Sequence, residues 1–224
     1  MNLLTQDKLL DETRARVVES AGEVFAEAGF EKATVREICA RAHANIAAVN
    51  YHFGDKLGLY TEVLKEAACK NKQDVVDEAQ ALADPEQALR FFIRGIFRKM
   101  HEADRPAWYA RVMLHELAQP TPALAVVVEN LIRPNSRVLC AIVGQILDRP
   151  PLDETTRLCA HSIMAQVVHH LHARPVIALL WPDLKATSET LDKIANHITE
   201  FSLAALQAFR RKSPHAKRSA RRSK

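Results

Sequence analysis

Apolar residues recur at helical spacing along most of the chain, and no stretch alternates strictly between apolar and polar positions. Apolar positions three and four residues apart predict amphipathic helices, whereas strict alternation would predict strands. The pattern therefore predicts an all-α protein with helices over residues 11–28, 34–42, 46–53, 57–82, 84–103, 107–118, 122–147, 153–173 and 187–211. Residues 1–10 are expected to form a loose arm, the helix over 122–147 is expected to bend at Pro134, and a short apolar segment occupies 176–181.

Residues 34–56 predict two short helices joined by a tight turn. Thr34 followed by Glu37 is a capping box, in which the threonine hydroxyl accepts a hydrogen bond from a backbone N–H of the first turn. Asn45 has a short polar side chain that suits the start of a second helix, and Gly54 follows the end of that helix. This arrangement is typical of a helix-turn-helix, whose second helix enters the major groove of DNA.

The second short helix carries most of the residues that we expect to contact DNA. Val49 and Phe53 are four residues apart and are expected to face inward, so the opposite side faces outward. The expected base-edge contacts are small or apolar residues that can approach a thymine methyl group, namely Ile46, Ala47 and Ala48. The expected phosphate contacts lie at the groove rim: Thr34, Asn50, Tyr51, His52 and Lys56. Arg36 and Asn45 complete the predicted interface.

These residues resemble the TetR family of bacterial transcription regulators. The similarity covers roughly residues 13–64 and is carried by Thr34, Ile38, Ala42, Val49, Tyr51, His52, Phe53 and Lys56. The segment VNYHFGDKLGLY is most similar to the subgroup typified by the CecR regulator. His43 stands where the family usually has glycine in the turn, and Asn50 stands where it usually has tyrosine. Since histidine tolerates a left-handed backbone, we expect the turn to form.

The resemblance implies a helix-turn-helix DNA-binding domain over residues 1–56 and a ligand-binding and dimerisation domain over 57–211. It also implies a homodimer in which the last two long helices pair with those of a second copy. The apolar surface of these helices exceeds what one small domain needs, which agrees with this expectation. A dimer has the two-fold symmetry of a palindromic operator in double-stranded DNA. The expected function is a repressor that a small-molecule effector releases from DNA.

The charge of the chain is unevenly distributed. The formal net charge is +4, but the eight lysines and arginines from Arg210 to Lys224 leave 23 basic against 27 acidic residues in the rest of the chain. Residues 212–224 hold almost no apolar side chains, so we expect a disordered basic tail. Such a tail either adds salt-sensitive attraction to DNA or is simply solvated.

The C-terminal helices contain candidate residues for a small-molecule site. Such sites are lined mainly by apolar and aromatic residues, with a few polar groups that orient the ligand. The candidate apolar walls are Phe92, Trp108, Tyr109 and Met113. The candidate polar groups are Arg111, His115, Glu116, His161, Gln166 and His169. The same spacing is compatible with ordinary helix core, and the residues do not identify the effector beyond a small hydrophobic or aromatic molecule.

Metals, cofactors and membranes are not expected. His169 and His172 share a helix face with His161 two turns earlier, but no carboxylate or cysteine stands at a neighbouring ligand spacing. Histidines that titrate near neutrality are the alternative interpretation of this group. The four cysteines form no C-x-x-C pair, which is typical of reduced thiols in a cytoplasmic protein. The sequence shows neither an apolar run of membrane-spanning length nor a signal-peptide pattern.

Catalysis is not predicted either, because the chain has no glycine-rich phosphate loop, no G-x-S-x-G motif and no protease or deaminase signature. The alternative function is a helical protein that binds small molecules and whose N-terminal domain does not recognise a specific operator. The departures at His43 and Asn50 keep this alternative open.

Overall fold

The computed structural model describes residues 3–69, 74–100, 106–185 and 187–211. In chain order its α-helices are α1 (Leu3–Lys32), α2 (Val35–Ala42), α3 (Ile46–Phe53), α4 (Lys56–Cys69), α5 (Asp74–Ala81), α6 (Pro85–Met100), α7 (Ala107–Ala118), α8 (Leu124–Val127), α9 (Arg133–Leu147), α10 (Glu154–His172), α11 (Arg174–Leu180) and α12 (Ser188–Arg211). Within the described ranges no residue lies in a strand. The all-α prediction is therefore confirmed.

The first helix begins earlier than predicted. Helix α1 starts at Leu3, so the expectation of a loose arm is wrong for residues 3–10. This segment, LLTQDKLL, is rich in leucine and contains neither glycine nor proline, so it holds no strong helix breaker. The predicted break after Ala28 is confirmed, because Gly29 leaves the helical backbone with φ 74° and ψ 169°. Glycine reaches this positive φ without a steric penalty.

The chain divides into two compact units. Unit 1 comprises Met1–Lys72 and Asp104–Ile132, and unit 2 comprises Gln73–Ala103 and Arg133–Lys224. Helix α4 buries Leu59, Tyr60 and Leu64 in the same core as α1, α2 and α3. These packing units therefore divide the chain differently from the predicted boundary after residue 56, since α4, α7 and α8 belong with the N-terminal helices.

The core of unit 1 is built on α1, which packs against α2, α4 and α7. At its centre Phe25, Ile38 and Val49 are completely buried, and Phe53 is nearly so. Helix α7 closes the unit with Trp108, whose Nε1 donates to Glu19 of α1 over 2.9 Å.

Close packing of α1 against α7 depends on the absence of a side chain at Gly22. A Cβ atom there would overlap the indole ring of Trp108. We expect Gly22→Ala to destabilise the protein by about 1–3 kcal/mol through overpacking, measured as a lower midpoint in thermal unfolding followed by circular dichroism. Ser20→Ala on the same helix is the control. A variant at position 22 that melts with or above the wild type would contradict this packing, since alanine is otherwise the better helix former.

Unit 2 packs α6, α9, α10 and α12 around a second core. Its fully buried large side chains include Leu89, Phe92, Ile93, Phe97, Leu139, Leu147 and Ile198. On the surface, Arg94 and Arg98 of α6 each donate two hydrogen bonds to Asp192 of α12, over 2.9–3.1 Å. These hydrogen bonds lower the pKa of Asp192 to about 2. Asp192 therefore stays ionised at neutral pH and joins α6 to α12.

Two predicted long helices take a different form. The segment 122–147 consists of α8, a π-helical turn at Val128–Ile132, and α9. Pro134 cannot donate a backbone hydrogen bond, so the regular hydrogen-bond ladder of the helix cannot continue through it and the preceding turn widens.

The predicted helix over 57–82 is described as α4 and α5, and residues 70–73 between them lie outside the described part of the chain. The basic tail at 212–224 also lies outside it.

Cys39, Cys140 and Cys159 are free thiols. Burial raises the pKa of Cys39 and of Cys159, which reduces their thiolate reactivity at neutral pH.

Among the described residues, no helix combines the length and the apolar character required to cross a lipid bilayer.

Histidines at the end of α10 make the stability of unit 2 dependent on pH. Burial lowers the pKa of His170, and the neighbouring His169 and His197 lower it further. Burial also lowers the pKa of His172. The unfolded chain therefore binds more protons than the folded chain just below the ordinary histidine pKa of about 6.5. Stability is then lost as the pH falls through that value.

We expect the unfolding midpoint to decrease between neutral and mildly acidic pH, and His170→Phe to reduce this decrease. The phenyl ring keeps the edge-to-face contact that His170 makes with Phe97, at 5.8 Å between ring centroids. His161→Phe, at an exposed position of the same helix, is the control. An unchanged pH profile for the His170 variant would contradict the assignment.

Candidate nucleic-acid interface

Local hydrogen bonds begin α2 as the sequence predicted. The backbone N–H of Glu37 donates to Oγ1 of Thr34 over 3.2 Å, so Thr34 is the N-cap. The Glu37 carboxylate lies 3.5 Å from the Arg41 guanidinium, one turn further along. Thr34 remains exposed at the start of the helix, where its hydroxyl proton is available to an acceptor such as a phosphate.

The turn between α2 and α3 is formed by His43 and Asn45. His43 adopts the left-handed conformation, with φ 50° and ψ 44°, and its N–H bonds to the last carbonyls of α2. The expected tolerance of histidine at this position is therefore confirmed. Asn45 then caps α3, because its side chain accepts a hydrogen bond from the N–H of Ala47 over 3.0 Å.

Helix α3 has one packed side and one exposed side. Val49 and Phe53 are buried in unit 1, as predicted. The exposed side carries Ile46, Ala47, Asn50 and Tyr51. The exposed fraction is 47% for Ile46 and 76% for Tyr51. The buried side fixes this short helix to the core of unit 1. Its apolar and aromatic exposed side can therefore enter the major groove of DNA as a rigid element.

Two residues of the predicted interface are less accessible. Ala48 is half-buried. His52 is also half-buried, and its Nε2 is buried without a hydrogen-bond partner among the described residues. The ring packs edge-on against Tyr51, with 5.0 Å between centroids. In this structure, Nε2 of His52 therefore does not reach the surface where a phosphate would lie.

Lys56 uses its ammonium group within the chain. Nζ donates to the backbone oxygens of Phe30, Glu31 and Ala33 over 2.8, 3.2 and 3.2 Å. An ammonium has three hydrogens, and all three are engaged. These carbonyls follow the break in α1 and would otherwise lack helical partners. We therefore assign Lys56 an anchoring role between α1 and α4, in place of the phosphate contact predicted from the sequence.

The arginines near α2 and α3 differ in their availability. Arg41 is surrounded by acids, donating to both carboxylate oxygens of Glu27 over 2.9 and 3.0 Å. Arg14 donates to Glu62 over 2.6 Å. Arg36 is exposed and makes no ion pair with a described residue. Of these three arginines, Arg36 has the guanidinium that is free to meet a phosphate.

The predicted ligand residues are divided between the two units. Unit 1 holds Trp108, Tyr109, Arg111, Met113, His115 and Glu116, and unit 2 holds Phe92, His161, Gln166 and His169. Phe92, Trp108 and Tyr109 are buried in the two cores, as the alternative of ordinary helix core anticipated. Met113 packs against the core of unit 1.

The polar candidates also differ in their surroundings. Arg111, His161 and His169 are exposed. The Gln166 amide donates to the Ser162 carbonyl of its own helix. Among the described residues, no three histidine, cysteine or acidic side chains are placed to hold a metal ion.

Only His115 and Glu116 belong to a polar arrangement around a cleft of unit 1. His115 lines this cleft. Glu116 is completely buried, and its carboxylate accepts hydrogen bonds from the N–H and the hydroxyl of Thr121, over 2.9 and 3.1 Å. The Tyr60 side chain of α4 also contacts Glu116 by a hydrogen bond. The sequence did not indicate this contact, because the two residues lie more than fifty positions apart in the chain.

Two family models match most of the chain. The model described as the C-terminal domain of the HTH-type transcriptional dual regulator CecR matches residues 85–206, more than half of the chain. The model described as bacterial regulatory proteins of the tetR family matches residues 17–63, which include α2 and α3. The chain belongs to the TetR family. Both matching models are described as those of transcription regulators, not of enzymes.

Curated relatives of this TetR-family chain include repressors and a dual regulator. The HTH-type transcriptional repressor NicS of Pseudomonas putida is 33% identical over 87 residues, which are 39% of this chain and 41% of NicS. The match thus spans less than half the length of NicS. The HTH-type transcriptional dual regulator CecR of Shigella flexneri is 25% identical over 168 residues, which are 70% of this chain and 75% of CecR.

A solved structure of another protein has the same fold. AibR, determined in complex with isovaleryl coenzyme A and operator DNA, superimposes with a TM-score of 0.65 at 19% identity, covering 84% of this chain and 97% of AibR. At this level of identity the similarity concerns the fold alone. The predictions of the family and of its two-part helical architecture are confirmed.

Proposed function

We propose that this chain is a ligand-responsive repressor that binds a palindromic operator as a homodimer, through residues 34–53, and is released by a small hydrophobic or aromatic effector. The exposed side of α3 carries this proposal. It presents Ile46 and Tyr51 to solvent on a helix whose other side is packed, and the preceding turn adopts the backbone that a helix-turn-helix requires.

The residues of α2 and α3 have separate roles in this proposal. Ile46, Ala47 and Ala48 approach the base edges and recognise thymine methyl groups. Thr34, Arg36, Asn50 and Tyr51 contact phosphates and determine the position of the helix in the groove. The relative NicS is named a repressor and the neighbour AibR was solved with operator DNA, which supports this direction of regulation and this kind of partner.

Exposed apolar residues of unit 2 support the proposed homodimer. Leu158 of α10 and Phe201 and Phe209 of α12 have exposed fractions of 62%, 59% and 44%. Monomeric proteins rarely expose large apolar side chains in neighbouring helices without a binding partner. Pairing of α10 and α12 with the same helices of a second copy would cover them and provide two-fold symmetry.

An anchoring role and a phosphate contact of Lys56 predict different results for the same substitution. We expect Lys56→Met to lower the thermal unfolding midpoint, because three backbone carbonyls lose their donor and each hydrogen bond contributes about 1 kcal/mol. We also expect the slope of operator affinity against salt concentration to remain that of the wild type. The matched variant Arg36→Met should behave in the opposite way, with an unchanged midpoint and a slope reduced by about 1. A reduced slope and an unchanged midpoint for Lys56→Met would instead assign its ammonium to a phosphate.

The proposed function is tested by a gel shift with DNA from upstream of the protein's own gene and an excess of nonspecific competitor. A discrete band that survives the competitor is the expected result, and it supplies the operator for the variants described here. Binding that disappears with competitor or at moderate salt would show that only nonspecific charge attraction operates. That result would favour a small-molecule-binding protein that does not recognise an operator.

A further inference from the structure

A cleft of about 190 Å³ lies within unit 1, close to the break in α1. Its walls come from three places in the chain. Gly29 and Phe30 follow the body of α1, Tyr60 belongs to α4, and His115 and Thr121 lie at and beyond the end of α7. All of these residues belong to unit 1, so the cleft is formed by one packed body that also contains α2 and α3.

One wall of the cleft is aromatic. The rings of Phe30 and Tyr60 are 4.9 Å apart between centroids, and Phe25 packs against both from the core side, at 6.1 and 4.7 Å. Tyr60 is 1% exposed, so its ring is fixed by packing. Aromatic walls of this kind favour a flat ring as ligand, through edge-to-face or offset contacts.

The hydroxyl of Tyr60 is held in place by Glu116. Burial raises the pKa of Tyr60, and the nearby charge and hydrogen bond of Glu116 raise it further, so the Tyr60 hydroxyl remains protonated. The Glu116 carboxylate is in turn bonded by Thr121. This chain of contacts joins α4, α7 and the segment after α7, and the cleft is therefore formed before any ligand binds.

One polar atom at the cleft lacks a protein partner. Nδ1 of His115 is buried and makes no hydrogen bond with a described residue. It faces the Gly29 side of the cleft, 3.5 Å from the position that a Cβ at residue 29 would occupy. A buried polar atom without a partner costs free energy, so a ligand that satisfies it gains affinity. A hydroxyl group both donates and accepts, so it can pair with Nδ1 in either tautomer of a neutral histidine.

Charge at the cleft selects against anions. No lysine or arginine is present among the described residues that line it, whereas Glu31 stands at its edge. The nearby ammonium of Lys56 is already engaged by three backbone carbonyls. A ligand carboxylate would therefore meet the buried Glu116 and the exposed Glu31 without a compensating cation.

We propose that this cleft binds a neutral phenol, a single aromatic ring with a hydroxyl group, and that it is the effector site of the protein. The ring lies against Phe30 and Tyr60, and the hydroxyl bonds to Nδ1 of His115. The volume agrees, since an apolar cavity of about 150 Å³ holds benzene. The regulatory part of this inference rests on the proposed function; the binding part does not.

A bound phenol would act directly on the DNA-binding unit. Phe30 follows Gly29, where the α1 backbone is broken, and its carbonyl is one of the acceptors of Lys56, the first residue of α4. A ligand ring that packs against Phe30 shifts the backbone at this anchor, and α3 is connected to α4 by two residues. Occupation of the cleft would thus shift the population away from the arrangement that fits the operator.

Binding is tested with the full chain and no DNA, by saturation-transfer difference NMR with phenol, toluene and benzoate. We expect phenol to bind with a dissociation constant of about 1 mM or lower, which is reasonable for so small a ligand. Toluene and benzoate should bind at least about tenfold more weakly, because one lacks the hydroxyl and the other is an anion. Equal binding of the three ligands, or no phenol signal up to about 10 mM, would overturn the proposal.

The variant His115→Phe keeps a ring at the site and removes Nδ1. It should weaken phenol binding to the level of toluene and leave toluene binding unchanged. Gln80→Ala, at an exposed position of unit 2, should bind phenol like the wild type. If the His115 variant does not fold, intermolecular NOEs in the wild type provide the same test. Contacts from phenol to Phe30 and Tyr60 support the site, and contacts elsewhere overturn it.

A gel shift with phenol in the presence of the operator separates the two parts of the inference. Loss of the shift at phenol concentrations that saturate the wild type, but not His115→Phe, is the expected result. Phenol binding that leaves the shift unchanged would overturn the effector role and leave the operator-binding function intact. Failure of the protein to recognise any operator would overturn the proposed function, while the NMR result would still decide whether the cleft binds phenol.

Discussion

Ala47→Glu is expected to abolish operator binding without disturbing the fold. Ala47 is exposed on α3, in the first turn of a helix that should lie against DNA. A glutamate there brings a negative charge to the phosphates and a longer side chain to the base edges, so we expect at least a hundredfold loss of affinity. The fold should be unaffected or slightly stabilised, because acidic residues are favourable near a helix N-terminus. Gel-shift titration and thermal unfolding measure the two effects.

Ala47→Gln is the matched control for this variant, because glutamine has the same shape and no charge. It should lose roughly tenfold in affinity, the steric part of the effect. Retention of wild-type affinity by Ala47→Glu would mean that the exposed side of α3 does not face DNA. Equal losses for glutamate and glutamine would mean that size and not charge excludes the variant, and that no phosphate lies near this position.

Phe201→Glu is expected to produce a monomer that no longer binds the operator. Phe201 is 59% exposed on α12, so the substitution leaves no cavity in unit 2. A charge at the proposed interface would be buried without a partner on dimerisation, at a cost of several kcal/mol. Light scattering coupled to size-exclusion chromatography should show the mass change. Operator affinity should decrease at least a hundredfold, because a monomer contacts only one half-site.

Asn196→Glu provides the comparison on the same helix. Asn196 is exposed and polar, and its replacement should leave both the dimer and the operator affinity unchanged. Circular dichroism must show equal helicity for the two variants. A dimeric Phe201 variant with full operator affinity would exclude this face of α12 from the interface. A dimeric variant with weak operator binding would show that Phe201 influences DNA binding without holding the two copies together.

The sequence alone determined the features that depend on neighbours in the chain. The cap at Thr34, the left-handed turn at His43, the cap at Asn45 and the break at Gly29 all involve atoms within a few residues of each other. Their backbone preferences are intrinsic to those residue types. The helix-turn-helix and its exposed residues could therefore be predicted without knowledge of the rest of the fold.

Only the tertiary structure decided how individual side chains are used. Lys56 is an exposed cation in the sequence pattern, but its ammonium is bound to carbonyls 23–26 residues earlier in the chain. Trp108 and Tyr109 have the composition of a pocket wall, yet both are buried in the core of unit 1. Helical spacing identifies which residues share a face. What that face contacts depends on packing between elements far apart in sequence, and so do burial, ion pairing and the shape of the cleft.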